Sequence, residues 1–96
     1  MPRLRWSQPA LLDVARLHKF LAPKSREAAQ RAVKTIRQGV KALSNHPEIG
    51  RTVEELPPEF REWVIEFGPG AYIALYHYDG KEVVILAVRH GREAGY

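Results

Sequence analysis

Four side chains able to meet an anion fall within the last eight residues of the chain: Arg89, His90, Arg92 and Tyr96. They follow an apolar run, Glu82–Val88, that suits a β-strand. A strand there would hold their backbone and leave guanidinium, imidazole and phenol groups at one edge of a sheet. Guanidinium binds phosphate or carboxylate through paired N–H groups. Imidazole titrates near neutral pH and can act as acid or base. The cluster therefore fits either of two chemistries: adhesion to an anionic or acidic target, or acid–base attack at a phosphate. The bland alternative is a frayed terminus.

Other candidates are more scattered. Arg61 lies in an extended connection, GRTVEELPPEFRE, where it can reach a target anion or simply pair with Glu59 or Glu62. Tyr72, Tyr76 and Tyr78 recur along one strand; such a ladder can stack bases but is more often core. His77 points away from them, beside Ile73 and Leu75, as a candidate base or a partly buried hydrogen-bonder. His18, His46, His77 and His90 lack metal-ligand spacing, so no metal site is expected. Gly68-Pro69-Gly70 does not open a helix, so it reads as a hairpin turn and not a phosphate loop. Ser7, Ser25 and Ser44 sit at helix ends, where capping explains them better than nucleophilic catalysis.

The elements that must position these groups follow from periodicity. Arg3–Trp6 reads as an edge strand. Leu11, Val14, Leu17 and Leu21 recur at helical spacing after a Ser7 cap, and Pro23 ends that helix. Ser25 caps a second helix with the stripe Ala29, Ala32, Val33, Ile36, Val40 and Leu43. Arg26, Lys34, Arg37 and Lys41 occupy its other face, and Pro47 stops it. Strands are expected over Glu62–Phe67, Ala71–Tyr78 and Glu82–Val88, with turns at Gly68-Pro69-Gly70 and Asp79-Gly80-Lys81. Neither helix can bury its stripe alone, so the sheet must supply the partner surface. The face carrying Trp63, Ile65 and Phe67 is assigned to the helices. The result is one α+β domain over residues 1–96: an edge strand, an antiparallel two-helix hairpin, and a small antiparallel sheet, in the order β-α-α-β-β-β.

Composition bounds the function. The chain has 96 residues, 45% hydrophobic and 27% charged, the balance of a globular domain and not a disordered one. Cysteine is absent, which excludes disulfides and thiolate metal sites and suits a reducing cytoplasm. No apolar run is long enough for a membrane span, and MPRLRWSQPALL lacks the apolar core of a secretion signal. A net charge of +4 favours an anionic partner. No cofactor is indicated.

Four segments, NHPEIGR at 45–51, LPPEFREW at 56–63, AYIALYHYDGKEVVILAV at 71–88 and RHGRE at 89–93, together resemble the RelE/ParE superfamily of bacterial type II toxin–antitoxin toxins. The resemblance covers nearly the whole chain and implies a helical hairpin packed on a small antiparallel sheet. It also implies one of two activities. RelE-like toxins cut mRNA in the ribosomal A site. Their pattern would place cationic groups at positions that here hold Val64, Glu66 and Ile73; only Arg92 and, loosely, Tyr96 match. Members that use histidine instead leave His77, His90, Arg92 and Tyr96 as an alternative catalytic set. ParE-like toxins bind DNA gyrase and need no catalytic set. The HPEIGR and PPEFREW segments are closer to ParE, so the leading expectation is a gyrase poison that blocks replication. Its contacts would be Arg61, Arg89, His90, Arg92 and Tyr96. A ribosome-dependent mRNA endoribonuclease is the alternative, and a member that only binds antitoxin a further one. In each case the resemblance implies a cognate antitoxin with an acidic, partly disordered tail, expected to dock at Leu11, Val14, Leu21 and Trp63.

Overall fold

In the computed structural model, which describes residues 2–93, local sequence signals set both helices. The Ser7 side chain accepts the Ala10 N–H at 3.2 Å, and Pro9 occupies the first turn of α1, Gln8–Leu21. Ser25 does the same for α2, Arg26–Asn45, accepting from Ala28 N at 3.1 Å. Pro47 cannot continue α2, whose last turn closes with His46 N–H donating to Ala42 O. The inward stripe of α2 includes Ala32, Ile36, Val40 and Leu43, all essentially fully buried.

The strands are β1, Arg3–Trp6; β2, Arg51–Thr52; β3, Phe60–Phe67; β4, Gly70–Tyr78; and β5, Glu82–His90. They form one five-stranded sheet in the order β1-β5-β4-β3-β2. The expected element order and α+β class hold, with three refinements. The sheet is mixed, because β1 runs parallel to β5 while the other pairings are antiparallel. The extended connection contains a short fifth strand, β2. Strand β5 continues through Arg89 and His90 before the chain turns. Tyr96 lies outside the described residues.

Both helices cover one face of the sheet. Trp63, Ile65 and Phe67 do turn toward them: the Trp63 indole N–H donates to Gly39 O at 2.9 Å. A Cβ on Gly39 would lie 2.7 Å from Ile65 Cγ2, so a side chain there would force helix and sheet apart. Tyr72, Ala74 and Tyr76 from β4 and Val83, Ile85 and Val88 from β5 complete the core. Among the described residues no helix covers the other sheet face, with Val64, Glu66, Leu75 and His77.

A bulge in β5 decides what its C-terminal end presents. Leu75 pairs with Ala87 but Tyr76 pairs with Ile85, leaving Leu86 as the extra residue. The inward positions therefore run Val83, Ile85, Val88 and His90. Strand β1 ends its pairing at Ile85. Beyond it, side chains from the start of α1 satisfy the exposed edge: Ser7 Oγ donates to Leu86 O at 3.3 Å, and Asp13 Oδ2 accepts from Val88 N–H at 2.9 Å.

Candidate functional site

The C-terminal end of β5 and the turn that follows form a compact corner against α1. Glu93 organises it. Its carboxylate accepts the His90 N–H at 3.1 Å and the Arg16 guanidinium at 3.2 Å, and its carbonyl accepts Arg89 Nη1 at 2.8 Å. Partial burial works to raise the Glu93 pKa, but the hydrogen bonds from His90 and Arg16 and the nearby positive charge outweigh it and leave the pKa below its ordinary value. His90 Nδ1 accepts the Arg92 N–H at 3.1 Å, so the neutral ring carries its proton on Nε2. The His90 ring stands edge-on to Tyr72, with centroids 5.5 Å apart. Burial, and secondarily the Glu93 charge, raises the pKa of the Tyr72 phenol.

Arg16, Phe20, Lys24, His90 and Arg92 line a groove of about 560 Å³ at this corner, floored by Leu17. Phe20 is 65% exposed, and Lys24 Nζ lies 4.8 Å from the centre of its ring.

Arg89 points the other way. It shares the uncovered sheet face with Ile73 and approaches Glu62 at 3.9 Å; Glu62 also accepts from Arg51 Nε at 3.1 Å. His77 is on that face too, edge-on to Phe60 at 4.9 Å. His77 pairs with Val84 and His90 with Tyr72. The two histidines are thus on opposite faces and separated along β4 by about 17 Å at roughly 3.4 Å per residue. The structure brings His90 and Arg92 together and leaves His77 apart from them.

Arg61 is drawn into the fold. Its guanidinium donates to Gly50 O at 2.7 Å and Glu48 O at 3.0 Å, with the Glu48 carboxylate 3.9 Å away, where the sequence suggested Glu59 or Glu62. Beside it the Tyr76 hydroxyl donates to Pro47 O at 2.8 Å and accepts from Gly50 N–H at 3.0 Å. A Cβ on Gly50 would lie 2.6 Å from the Tyr76 oxygen and from Glu62 O. The HPEIGR, FREW and ALYHY segments thus meet in a lock that seats the loop after α2 on the sheet.

Of the residues expected to receive an antitoxin, Leu11 and Val14 line one groove of about 540 Å³ with Trp6, His18, Val33 and Arg37, on the α2 side of α1. Leu11 is half exposed. Leu21 and Trp63 pack against the core instead and do not line that groove. Sequence reasoning missed Arg16, Phe20 and Glu93. The signal available was the four-residue spacing of Arg16 and Phe20 off the apolar stripe of α1, which puts both on one flank.

The site thus sits on a helical hairpin packed on one face of a small mixed sheet, with a basic corner at the end of the last strand. The chain belongs to the family described as the ParE toxin of the type II toxin-antitoxin system parDE, whose profile matches residues 4–95. It is 30% identical over 81 residues to the protein named Toxin RelE3 of Caulobacter vibrioides, covering 84% of this chain and 85% of that one. Its fold matches a solved chain titled as the chromosomal ParDE TA system from P. aeruginosa, with a TM-score of 0.77 and 28% identity over 94% of this chain and 96% of the other. The chain is thus a type II toxin-antitoxin toxin, and a cognate antitoxin is its partner.

Proposed function

We propose that this toxin acts by binding DNA gyrase in the cytoplasm and stopping replication, without performing chemistry itself. The observation that carries this reading is the uncovered sheet face. Positions 64, 66 and 73, where an RNA-cleaving relative would be expected to hold cationic groups, carry Val64, Glu66 and Ile73. A carboxylate and two aliphatic groups do not stabilise a developing phosphorane charge. His77 and His90 are too far apart to serve one phosphate as acid and base. The contacts instead come from the corner: His90 and Arg92, with Arg89 and Tyr96 beside them in sequence, while Arg61, two strands away and four residues along β4, holds the loop after α2.

In this reading an antitoxin helix seats in the groove of Trp6, Leu11, Val14 and Val33, whose rim carries Arg37. The net charge of +4 draws an acidic tail toward the surface. A second reading, ribosome-dependent RNA cleavage, is favoured by the name of the Caulobacter relative and would use His90 and Arg92.

The test is to add the purified chain to gyrase supercoiling and DNA-cleavage assays, and in parallel to translating ribosomes. Accumulated cleaved DNA with intact mRNA supports the gyrase reading. Cut mRNA with unaffected supercoiling replaces it with the second.

A further inference from the structure

The charge of the chain is divided unevenly. The two helices and their joint, residues 8–45, carry eight Lys and Arg against two carboxylates, Asp13 and Glu27, a net +6; the rest of the chain is net −2, which gives the whole its +4. Asp13 is itself engaged, accepting the Val88 N–H. The excess gathers on the outer face of α2. Lys34, Arg37 and Lys41 recur three and four residues apart, so they share that face and span about 10 Å of helix. With His18 from α1 and the amides of Gln30 and Gln38 they line a groove of about 420 Å³. All three cations are exposed, and among the described residues none pairs with a carboxylate. Glu27 is in the first turn of α2, seven residues before Lys34, and does not line the groove.

We propose that this face of α2 holds the phosphate backbone of duplex DNA, whatever its base sequence. Lys and Arg beside Gln are the side chains that grip phosphate oxygens. An acidic peptide would also meet the cations, but Val33 is the only large apolar group lining the groove and gives such a peptide no deep anchor. No aromatic ring lines the groove to stack unpaired bases, which favours a duplex over a single strand. A duplex presents about one charge per 1.7 Å of its axis, so the three cations meet more than one phosphate at once. His90 and Arg92 line the groove on the opposite flank of α1, which shares no residue with this one. Duplex binding goes beyond the gyrase reading and does not require it. Where both hold, the toxin meets gyrase at its bound DNA, with the corner on the protein and α2 on the duplex.

The experiment is fluorescence anisotropy of a labelled 20-bp duplex titrated with the full chain, from about 50 to 200 mM KCl. The variants are Lys34→Gln/Lys41→Gln, the charge-keeping Lys34→Arg/Lys41→Arg, and Lys19→Gln/Lys81→Gln, which removes equal charge from exposed sites outside the groove. Arg37 also lines the neighbouring groove and is left in place. Wild type should bind duplexes of unrelated sequence alike. Lys34→Gln/Lys41→Gln should weaken binding at least tenfold at the lowest salt and flatten the salt slope by about 2. The other two variants should stay within threefold of wild type. No binding by wild type, a loss below threefold in Lys34→Gln/Lys41→Gln, or an equal loss in Lys19→Gln/Lys81→Gln overturns the inference. Tighter binding of single-stranded RNA through the same lysines makes the face an RNA site and also overturns it. So does unchanged duplex binding with weakened antitoxin affinity, which makes it a protein site. Gyrase supercoiling is assayed alongside: wild type that binds duplex through these lysines but leaves supercoiling intact removes the gyrase reading and upholds the duplex site.

Discussion

The Tyr76 hydroxyl accepts the Gly50 N–H at 3.0 Å, joining the centre of the sheet to the loop that follows α2. The same oxygen donates to Pro47 O, and Arg61 holds the Gly50 carbonyl from the other side. Gly50 is the only residue type that fits, since a Cβ would overlap the phenol oxygen. Tyr76→Phe keeps the ring but strands a buried N–H, at a cost of about 1–3 kcal/mol. A urea midpoint shifted down with unchanged slope is the expected result. Gly50→Ala should be worse, because the loop must move.

Helix and sheet approach most closely at Gly39 and Ile65. An exposed glycine-to-alanine change inside a helix would stabilise by roughly 1 kcal/mol. Here the added methyl meets Ile65 at 2.7 Å. Gly39→Ala is therefore expected to destabilise, and Ile65→Ala to give back part of the loss when combined with it. A double-mutant cycle by chemical denaturation measures that coupling, and simple additivity would contradict the contact.

The Glu93 clamp makes the C-terminal turn acid-sensitive. A carboxylate with a lowered folded pKa contributes stability above its unfolded value of 4.5 and loses it as pH falls through the lower folded value. Amide exchange at His90, whose N–H the Glu93 carboxylate accepts, should accelerate as pH drops below 4.5, after correction for intrinsic rates, while core amides such as Ile85 stay protected. Glu93→Gln should remove the pH dependence of that local opening.

Two phenols act at the alkaline end. Burial raises the pKa of both Tyr72 and Tyr76 above 10.0, against the lowering effect of the Gly50 hydrogen bond on Tyr76. A raised folded pKa keeps its stability below the unfolded value and loses it as pH rises toward the folded one. Alkaline unfolding should thus begin above pH 10, with tyrosinate absorbance from these two rings appearing together with loss of structure. Tyr76→Phe should shift that transition upward relative to its own neutral-pH stability.

Arg92 and Arg61 should separate binding from stability. Arg92 is exposed and belongs to the groove, so Arg92→Glu is expected to lower target inhibition tenfold or more with a melting temperature within about 2 °C of wild type. Arg61→Met breaks the bonds to Glu48 O and Gly50 O and is expected to destabilise the fold by about 1–3 kcal/mol. Residual inhibition by Arg61→Met, scaled to its folded fraction, should equal wild type. A gyrase supercoiling titration next to a thermal melt distinguishes the two.

Local chemistry made much of the architecture readable from the chain. Ser7, Ser25, Pro23 and Pro47 mark the helix ends because capping and proline sterics act over three or four residues. The stripe from Ala29 to Leu43 and the alternation at Trp63, Ile65 and Phe67 identify the buried faces because each element must hide one side. The small sheet and the hairpin turns follow from the same local signals. The run of Arg89, His90 and Arg92 at the end of the last strand was visible as a sequence, but not which of its members share a face.

What the chain alone did not determine was which of those groups face each other. Strict alternation from Val83 and Ile85 would have carried Ala87 and Arg89 inward. The bulge at Leu86 inserts one residue and sends Val88 and His90 to the helix side and Arg89 to the open face. That choice depends on contacts distant in sequence: Ser7 on the Leu86 carbonyl and Asp13 on the Val88 amide, both more than 70 residues away. The role of Arg61 was hidden for the same reason, since its partners arrive from the loop after α2. Periodicity describes one element at a time, whereas a bulge, an edge cap or a clamp such as Arg16–Glu93 exists only once packing brings two elements together.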